Sequence, residues 1–325
     1  MRLHHPHDHF VREFFSEPAH AREFLSAVLP AALAETLDWT RLRGEPATFI
    51  DEDLRQQHSD LLFSVPSQTG EPQQVYLLFE HKSALDRRLS RQLLGYLARI
   101  YAAQHEPAPV IALVFYHGDA PHPAGQRFID DLSLSLERRA LYQPYIPDFG
   151  YVLFDLAHTE PRAWESLALR VFLAALDSAR SPEPARLAGV LRLADQLLRE
   201  PESTRIVHAL LVYLFQVTDL KPAQWRALLT PPPSPALEAT MISTAQQLFE
   251  QGKIEGKIEG KIEGKIEGKI EGETLFLERL LQAKFGQLPP SCQRRIAEAD
   301  PETLLSWGER VLTAATLMEV FADTH

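Results

Sequence analysis

The sequence is poor in cysteine and in long apolar runs, and each shortage excludes a class of protein. The 325 residues include one cysteine, Cys292, so no disulfide can form within the chain. No apolar run approaches the roughly 20 residues that a membrane-spanning helix needs, and the opening residues, MRLHHPHDHF, lack the apolar segment of a secretion signal. We therefore expect a protein of the reducing cytoplasm with no membrane segment.

Positive charge is also scarce. The chain has 33 Lys and Arg residues against 44 Asp and Glu residues, which gives a formal net charge of −11. Because proteins bind nucleic-acid phosphates through Lys and Arg, this balance argues against a protein that coats nucleic acid, although it is compatible with a local basic groove. Apolar residues make up 45% of the chain, and the length predicts about two domains of roughly 150 residues each.

The first half of the chain alternates between helical and strand-like patterns. Apolar residues at helical spacing predict helices over 9–36 and 86–105, and Pro30 should end or kink the first of them. Short apolar runs predict strands at 46–51, 60–65, 75–81, 110–118 and 151–156, the last at an edge of the sheet or added to it. This α-β-β-β-α-β order indicates an α/β domain with a mixed sheet covered by helices.

The second half is predicted to be helical around a repeat. Residues 252–272 contain five tandem copies of KIEG. A glycine in each copy and like charges at i, i+4 weaken an isolated helix, so we interpret the repeat as a flexible or weakly helical spacer. The predicted domains are a core at 1–158, a helical extension at 159–230, a Pro-rich break, helix and repeat linker at 231–272, and a small helical C-terminal unit at 273–325.

One strand-like run ends in charged residues. Residues 75–83 read VYLLFEHKS, so a run typical of a buried strand continues into Glu80, His81 and Lys82. Strand side chains alternate between the two faces of a sheet. Glu80 and Lys82 should therefore share one face, and His81 should point to the other.

The preceding strand supplies a second carboxylate. If 60–65 and 75–82 form an antiparallel hairpin about the polar turn PSQTGEPQQ, Asp60 lies opposite Glu80 and diagonal to Lys82. Two carboxylates this close repel each other unless a positive charge lies between them, and carboxylate oxygens suit Mg²⁺. Such a metal would bind a phosphate and lower the pKa of a water molecule, while the lysine neutralises developing charge.

The Asp…Glu-x-Lys arrangement resembles the PD-(D/E)XK nuclease superfamily. Within it, the chain resembles the Rpn recombination-promoting nuclease, or YhgA-like putative transposase, family over roughly residues 7–225. The segments that carry the resemblance are HDHFVREFFSEPAHAREFLSAVLP, HSDLLFSV, VYLLFEHKS and RQLLGYLARIY. Ser59 stands where the strict motif has proline, and many relatives carry glutamine where this chain has Lys82.

The resemblance implies a restriction-endonuclease-like core and a Mg²⁺-dependent DNA endonuclease linked to recombination, with Mn²⁺ as the alternative ion. It implies Asp60, Glu80 and the His81 main-chain carbonyl as metal ligands and Lys82 as the catalytic lysine. Asp8 or Glu13 could add an outer carboxylate.

DNA contacts are predicted just beyond the strand. Arg87, Arg88 and Arg91 share a side of the following helix, where they could hold phosphates, and Gln92 could reach the same groove. The alternative interpretation of these arginines is a solvated helix face.

A second function stays open beside the nuclease. The repeat and the acidic balance also suit a catalytically inactive nuclease fold that acts as an oligomerising interaction or regulatory module. In either case we expect a homo-oligomer formed through the C-terminal helices. Met241 precedes the repeat, so a separate C-terminal product could also begin there.

Overall fold

A computed structural model describes residues 6–45, 61–68, 74–123, 127–159, 163–218, 220, 222–229 and 231–322. The chain divides into two compact units, one ending at Leu248 and the other beginning at Phe249. Each unit has its own cluster of buried apolar residues.

Helices predominate in the described residues. They are α1 (Pro6–Phe15), α2 (Pro18–Val28), α3 (Ala31–Ala34), α4 (Leu89–Ala103), α5 (Leu136–Tyr142), α6 (Leu167–Arg180), α7 (Pro184–Leu197), α8 (Thr204–Val217), α9 (Pro222–Ala227), α10 (Pro235–Phe285), α11 (Pro290–Ala297), α12 (Pro301–Thr313) and α13 (Leu317–Val320). Short 3-10 turns occur at Trp39–Arg41, Phe128–Leu132 and Gln143–Tyr145.

Among the described residues, a five-stranded mixed sheet forms the centre of the first unit. Its strands are β1 (Arg43–Gly44), β2 (Leu61–Pro66), β3 (Gln74–Lys82), β4 (Val110–Tyr116) and β5 (Val152–Asp155), and they lie in chain order across the sheet. β1, β2 and β3 pair antiparallel, whereas β3, β4 and β5 pair parallel. β3 and β4 run parallel because the chain between them crosses over through α4. Parallel neighbours need a long connection of this kind. The predicted α/β class and mixed sheet are confirmed, and β5 lies at an edge.

The two faces of the sheet pack against different helices. On β3, Val75, Leu77 and Phe79 belong to the cluster that contains residues of α1, α2, α6, α7 and α8. Leu78 points the other way and packs with Leu93 and other residues of α4. This alternation buries both faces, as is usual for the parallel part of a sheet.

The predicted first helix is divided in the structure. Residues 9–36 form α1, α2 and α3 instead of one helix, because Pro18 cannot continue a helix but is accommodated in the first turn of α2. Pro30 follows the end of α2, as predicted. The predicted strand at 46–51 lies outside the described residues. Two 3-10 turns and α5 lie between β4 and β5 and were not predicted. α5 buries none of its residues, so it has no buried apolar face to mark it.

The KIEG repeat lies within α10, a helix of 51 residues. In the second unit, the C-terminal end of α10 and α11 to α13 contribute to a separate cluster that includes Leu281, Ile296 and Trp307. Among the described residues no helix is long and apolar enough to cross a membrane.

Gly118, which follows β4, offers a test of the packing. A Cβ atom at this position would lie less than 3.0 Å from ring atoms of Tyr116, which is 1% exposed and donates from its hydroxyl to the Ala120 carbonyl. Because this ring cannot move aside freely, Gly118→Ala should lower the free energy of unfolding by about 1–3 kcal/mol in urea titrations. Gly95 in α4 has open space around it, so Gly95→Ala should instead stabilise by up to about 1 kcal/mol. Equal effects of the two substitutions would contradict this packing.

Candidate functional site

The hairpin of β2 and β3 has the predicted register. Leu61 pairs with Phe79 and Val65 with Val75, which is the alignment used to place Asp60 opposite Glu80. Asp60 itself lies outside the described residues. The register is strongly specified because a slip by one residue would move the apolar side chains of β3 to the wrong faces.

Glu80 and Lys82 form an ion pair at the end of β3. The Glu80 side chain is 1% exposed and the Lys82 side chain 14% exposed, and Lys82 Nζ lies 2.9 Å from Glu80 Oε1. Asp86, just beyond the strand, adds a second carboxylate 3.6 Å from the same Nζ. The opposite charges of Glu80 and Lys82 therefore compensate each other at a buried position, where an unpaired charge would strongly lower the stability of the fold.

Gln92 of α4 bridges the two charged side chains. Its amide donates to Glu80 Oε1 at 3.0 Å and accepts from Lys82 Nζ at 2.8 Å. Tyr96, one turn further along α4, bonds to the same Gln92 amide through its hydroxyl. Gln92 was predicted to be able to reach a DNA groove, and that stays a prediction. In the structure its amide lies inside the charged cluster. The i, i+4 spacing of Gln92 and Tyr96 was a signal for this arrangement.

Three arginines surround the start of α4. Arg87, Arg88 and Arg91 are exposed, and none of them makes an ion pair with a described residue. The backbone N–H of Arg88 donates to Asp86 Oδ1 at 2.8 Å, which fixes the entry of the chain into the helix. Positive charge is thus available to solvent next to the buried Glu80–Lys82 pair.

His81 points to the opposite face, as predicted. Its Nδ1 lies 2.7 Å from Asp8 Oδ1 of α1, and its ring stacks on His117 at a centroid distance of 4.8 Å. His7 completes the group at 4.9 Å from His117 and bonds to the Tyr213 hydroxyl at 2.9 Å. The structure therefore places Asp8 on the other side of the sheet from Glu80.

Burial is the main cause of the lowered pKa values of His117 and His7. Removal from water, with neighbouring His81 and His7 adding repulsion, lowers the pKa of His117 to about 2. Burial also lowers the pKa of His7, helped by His81 and opposed by Asp8. His117 in the folded protein is therefore neutral at neutral and mildly acidic pH.

Glu13, the other candidate outer carboxylate, lies near different partners. Its carboxylate is 3.7 Å from Arg205 Nε and 3.9 Å from His9 Nδ1. Neither contact belongs to the cluster around Glu80.

Comparison with known proteins identifies the family. The model of the family described as "Putative transposase, YhgA-like" matches residues 5–206. The chain belongs to this family.

Curated relatives within the family carry nuclease names. The chain is 34% identical over 149 residues to recombination-promoting nuclease RpnD of Escherichia coli O157:H7, which covers 44% of this chain and 57% of the relative. It is 34% identical over 148 residues to RpnA of E. coli strain K12, covering 44% and 50%. It is also 32% identical over 143 residues to a K12 protein named inactive recombination-promoting nuclease-like protein RpnE, covering 42% and 48%. The chain spans about half the length of the curated relatives it matches, and no solved structure shows a significant match.

The donors around Glu80 suit a hard divalent cation. A carboxylate and a main-chain carbonyl are the oxygen ligands that Mg²⁺ prefers, and Glu80 and the carbonyl of His81 are adjacent on β3. No group of three or more His, Cys, Asp or Glu side chains within the described ranges could hold a metal ion. Asp60, the other predicted carboxylate ligand, lies outside those ranges.

His117 generates a prediction about acid stability. An unfolded histidine titrates near pH 6.5, roughly the ordinary value, whereas the folded pKa of His117 is about 2. Below pH 6.5 the unfolded chain binds the additional proton, so the free energy of unfolding falls as the pH falls. Between pH 7 and 5 this loss should amount to roughly 2 kcal/mol.

His117→Phe removes the titrating ring and should flatten the pH profile by that amount in urea titrations across this range. The exposed His105 provides the matched control, since His105→Gln should leave the profile as in the wild type. A profile of unchanged steepness in His117→Phe would contradict the burial of a neutral ring.

Proposed function

We propose that this protein is a metal-dependent DNA endonuclease of the PD-(D/E)XK type that acts in recombination or in a transposase-like process. The observation that carries the proposal is the Glu80–Lys82 ion pair, held on one face of β3 at its carboxyl end. Membership of a family whose named relatives include recombination-promoting nucleases supports it. On this proposal the mixed sheet with its flanking helices is a restriction-endonuclease-like core.

The site residues would have distinct roles. Glu80, Asp60 and the His81 main-chain carbonyl would hold Mg²⁺ or Mn²⁺. Asp8 and Glu13 are engaged elsewhere. A bound divalent cation would polarise the scissile phosphate and lower the pKa of a water molecule.

Lys82 would then have to exchange partners. In the structure its ammonium is bound by Glu80, Gln92 and Asp86. When Glu80 binds a cation, the same ammonium can turn toward the phosphate and stabilise the charge that develops on it. Gln92 keeps both side chains in place, because its amide contacts each of them.

DNA is the proposed substrate, and the exposed arginines are its proposed anchors. Arg87, Arg88 and Arg91 lie at the start of the helix that also carries Gln92. Phosphate contacts of this kind position a duplex without reading its sequence. An acidic chain can bind DNA in this way where positive charge is concentrated locally.

A plasmid-nicking assay tests the catalytic proposal. Purified protein with Mg²⁺ or Mn²⁺ should convert supercoiled plasmid to nicked or linear forms, and EDTA should stop the reaction. Glu80→Gln and Lys82→Ala should each reduce the rate by at least about 100-fold, since each removes a charge at the reacting phosphate. Glu106→Gln changes an exposed carboxylate between α4 and β4 and should cleave like the wild type. A wild-type rate retained in Glu80→Gln would refute the site.

The absence of cleavage under any metal would favour the alternative function. At least one relative is named as inactive, so a nuclease fold that serves only as an interaction or regulatory module is a real alternative. Self-association is proposed under both functions. The second unit supports it with exposed apolar side chains, which include Leu275, Phe276, Leu305, Leu312 and Met318.

Light scattering on the full chain tests self-association. Leu305 and Leu312 are two turns apart on one side of α12, and they are 61% and 76% exposed. Leu305→Glu combined with Leu312→Glu should lower the molecular mass in solution to that of a monomer, because charges oppose burial at an interface. Leu136→Glu on α5 replaces a leucine that is 86% exposed in the first unit, and it should leave the mass unchanged. If the wild-type chain has the mass of a monomer in solution, the proposal of self-association is refuted.

A further inference from the structure

A row of polar side chains crosses the carboxyl edge of the parallel strands. Lys82, Tyr116 and Asp155 are the last residues of β3, β4 and β5. They are also consecutive partners across the sheet, since Lys82 pairs with Tyr116 and Tyr116 with Asp155. Register partners of neighbouring strands project to the same face. Asp155 therefore lies on the face of Glu80 and Lys82, two strands away.

Asp155 holds a histidine at this edge. The Asp155 side chain is 8% exposed, and its two oxygens both lie 3.0 Å from His158 Nδ1. The His158 side chain is 40% exposed. With Nδ1 directed at the carboxylate, Nε2 is left on the far side of the ring, and it makes no hydrogen bond with a described residue.

The backbone hydrogen bonds of the turn after β5 do not require an imidazole at position 158. Asp155 also accepts from the backbone N–H groups of His122, Ala157 and His158, at 3.1, 3.2 and 3.3 Å. These bonds shape the loop after β5, and they would form with any residue other than proline at position 158. The ring contact adds an oriented side chain whose outer nitrogen faces away from the Asp155 carboxylate.

We propose that His158 is a phosphate-contacting residue, which binds the DNA strand beside the scissile phosphodiester through Nε2. This inference rests on the proposed DNA substrate and extends its contact surface along the carboxyl edge of the sheet, two strands from Lys82. Asp155 acts as a positioning residue, because its two oxygens hold the ring through Nδ1.

The spacing suits a neighbouring phosphate. Adjacent strands lie about 4.8 Å apart, so the backbones at Lys82 and Asp155 are separated by roughly 10 Å. One DNA strand rises about 3.4 Å per nucleotide along its axis. A phosphate within a few nucleotides of the one at Lys82 would therefore lie near His158. Ligands bind in open α/β sheets at this edge, outside the carboxyl ends of the strands.

Equilibrium binding tests the contact separately from cleavage. The full chain is titrated with a fluorescently labelled duplex of DNA in EDTA at pH 6, and anisotropy is recorded over a series of salt concentrations. His158→Gln should weaken binding about tenfold and reduce the slope of log K against log salt by about 1. His158→Arg restores a positive group and should recover both quantities. His105→Gln removes an exposed histidine between α4 and β4, beyond the far end of α4 from Gln92, and should match the wild type.

The outcomes separate the two proposals. An unchanged affinity and salt slope in His158→Gln would overturn the phosphate contact, as would a wild-type chain that does not bind duplex at all. A folding defect would appear as a lower melting temperature, and it would not be repaired by arginine. If the wild type binds DNA in a manner that depends on His158 but never cuts plasmid, the contact stands and the nuclease proposal fails.

Discussion

The ion pair between Glu80 and Lys82 is the constraint on which the candidate site depends. Two charged side chains occupy the end of a strand that is buried on both sides of the sheet. Moving such groups out of water costs several kcal/mol for each ion, and only close pairing with further hydrogen bonds offsets that cost. Gln92 provides those bonds to both partners. The cluster therefore needs β3 and α4 together, and neither element alone could retain it.

The same strand organises the opposite face in a different way. There His81, His117 and His7 pack closely, with Asp8 and Tyr213 as their polar neighbours. Burial keeps His117 neutral, so its ring contributes packing without a positive charge. α1 is anchored to the sheet by these contacts and by Phe10, Phe14 and Phe15 in the apolar cluster. One face of β3 thus carries the Glu80–Lys82 ion pair, and the other carries closely packed histidine rings.

Much of the fold could be predicted where local rules and tertiary packing agree. The runs that became β2, β3 and β4 are short, apolar and bounded by turn residues, so their limits were placed within a few residues. The turn between β2 and β3 and the alternation of β3 were sufficient to predict the register. Errors occurred where a single residue overrode a longer pattern, as with Pro18 in the first helix. α5 was missed because its residues stay exposed, so it lacks the apolar periodicity that marks a packed helix.

The sequence by itself determined that Glu80 and Lys82 share a face and that His81 takes the other, since side chains alternate along any strand. It also determined the family, through motifs that follow one another in order along the chain. Only the tertiary structure decided which groups meet these side chains. Gln92 bonds to both charges, Asp8 is brought to His81 from 73 positions away in the chain, and Asp155 joins the row at the carboxyl edge. These contacts depend on how helices and strands pack, and local spacing does not encode the distance between elements that are remote in the chain.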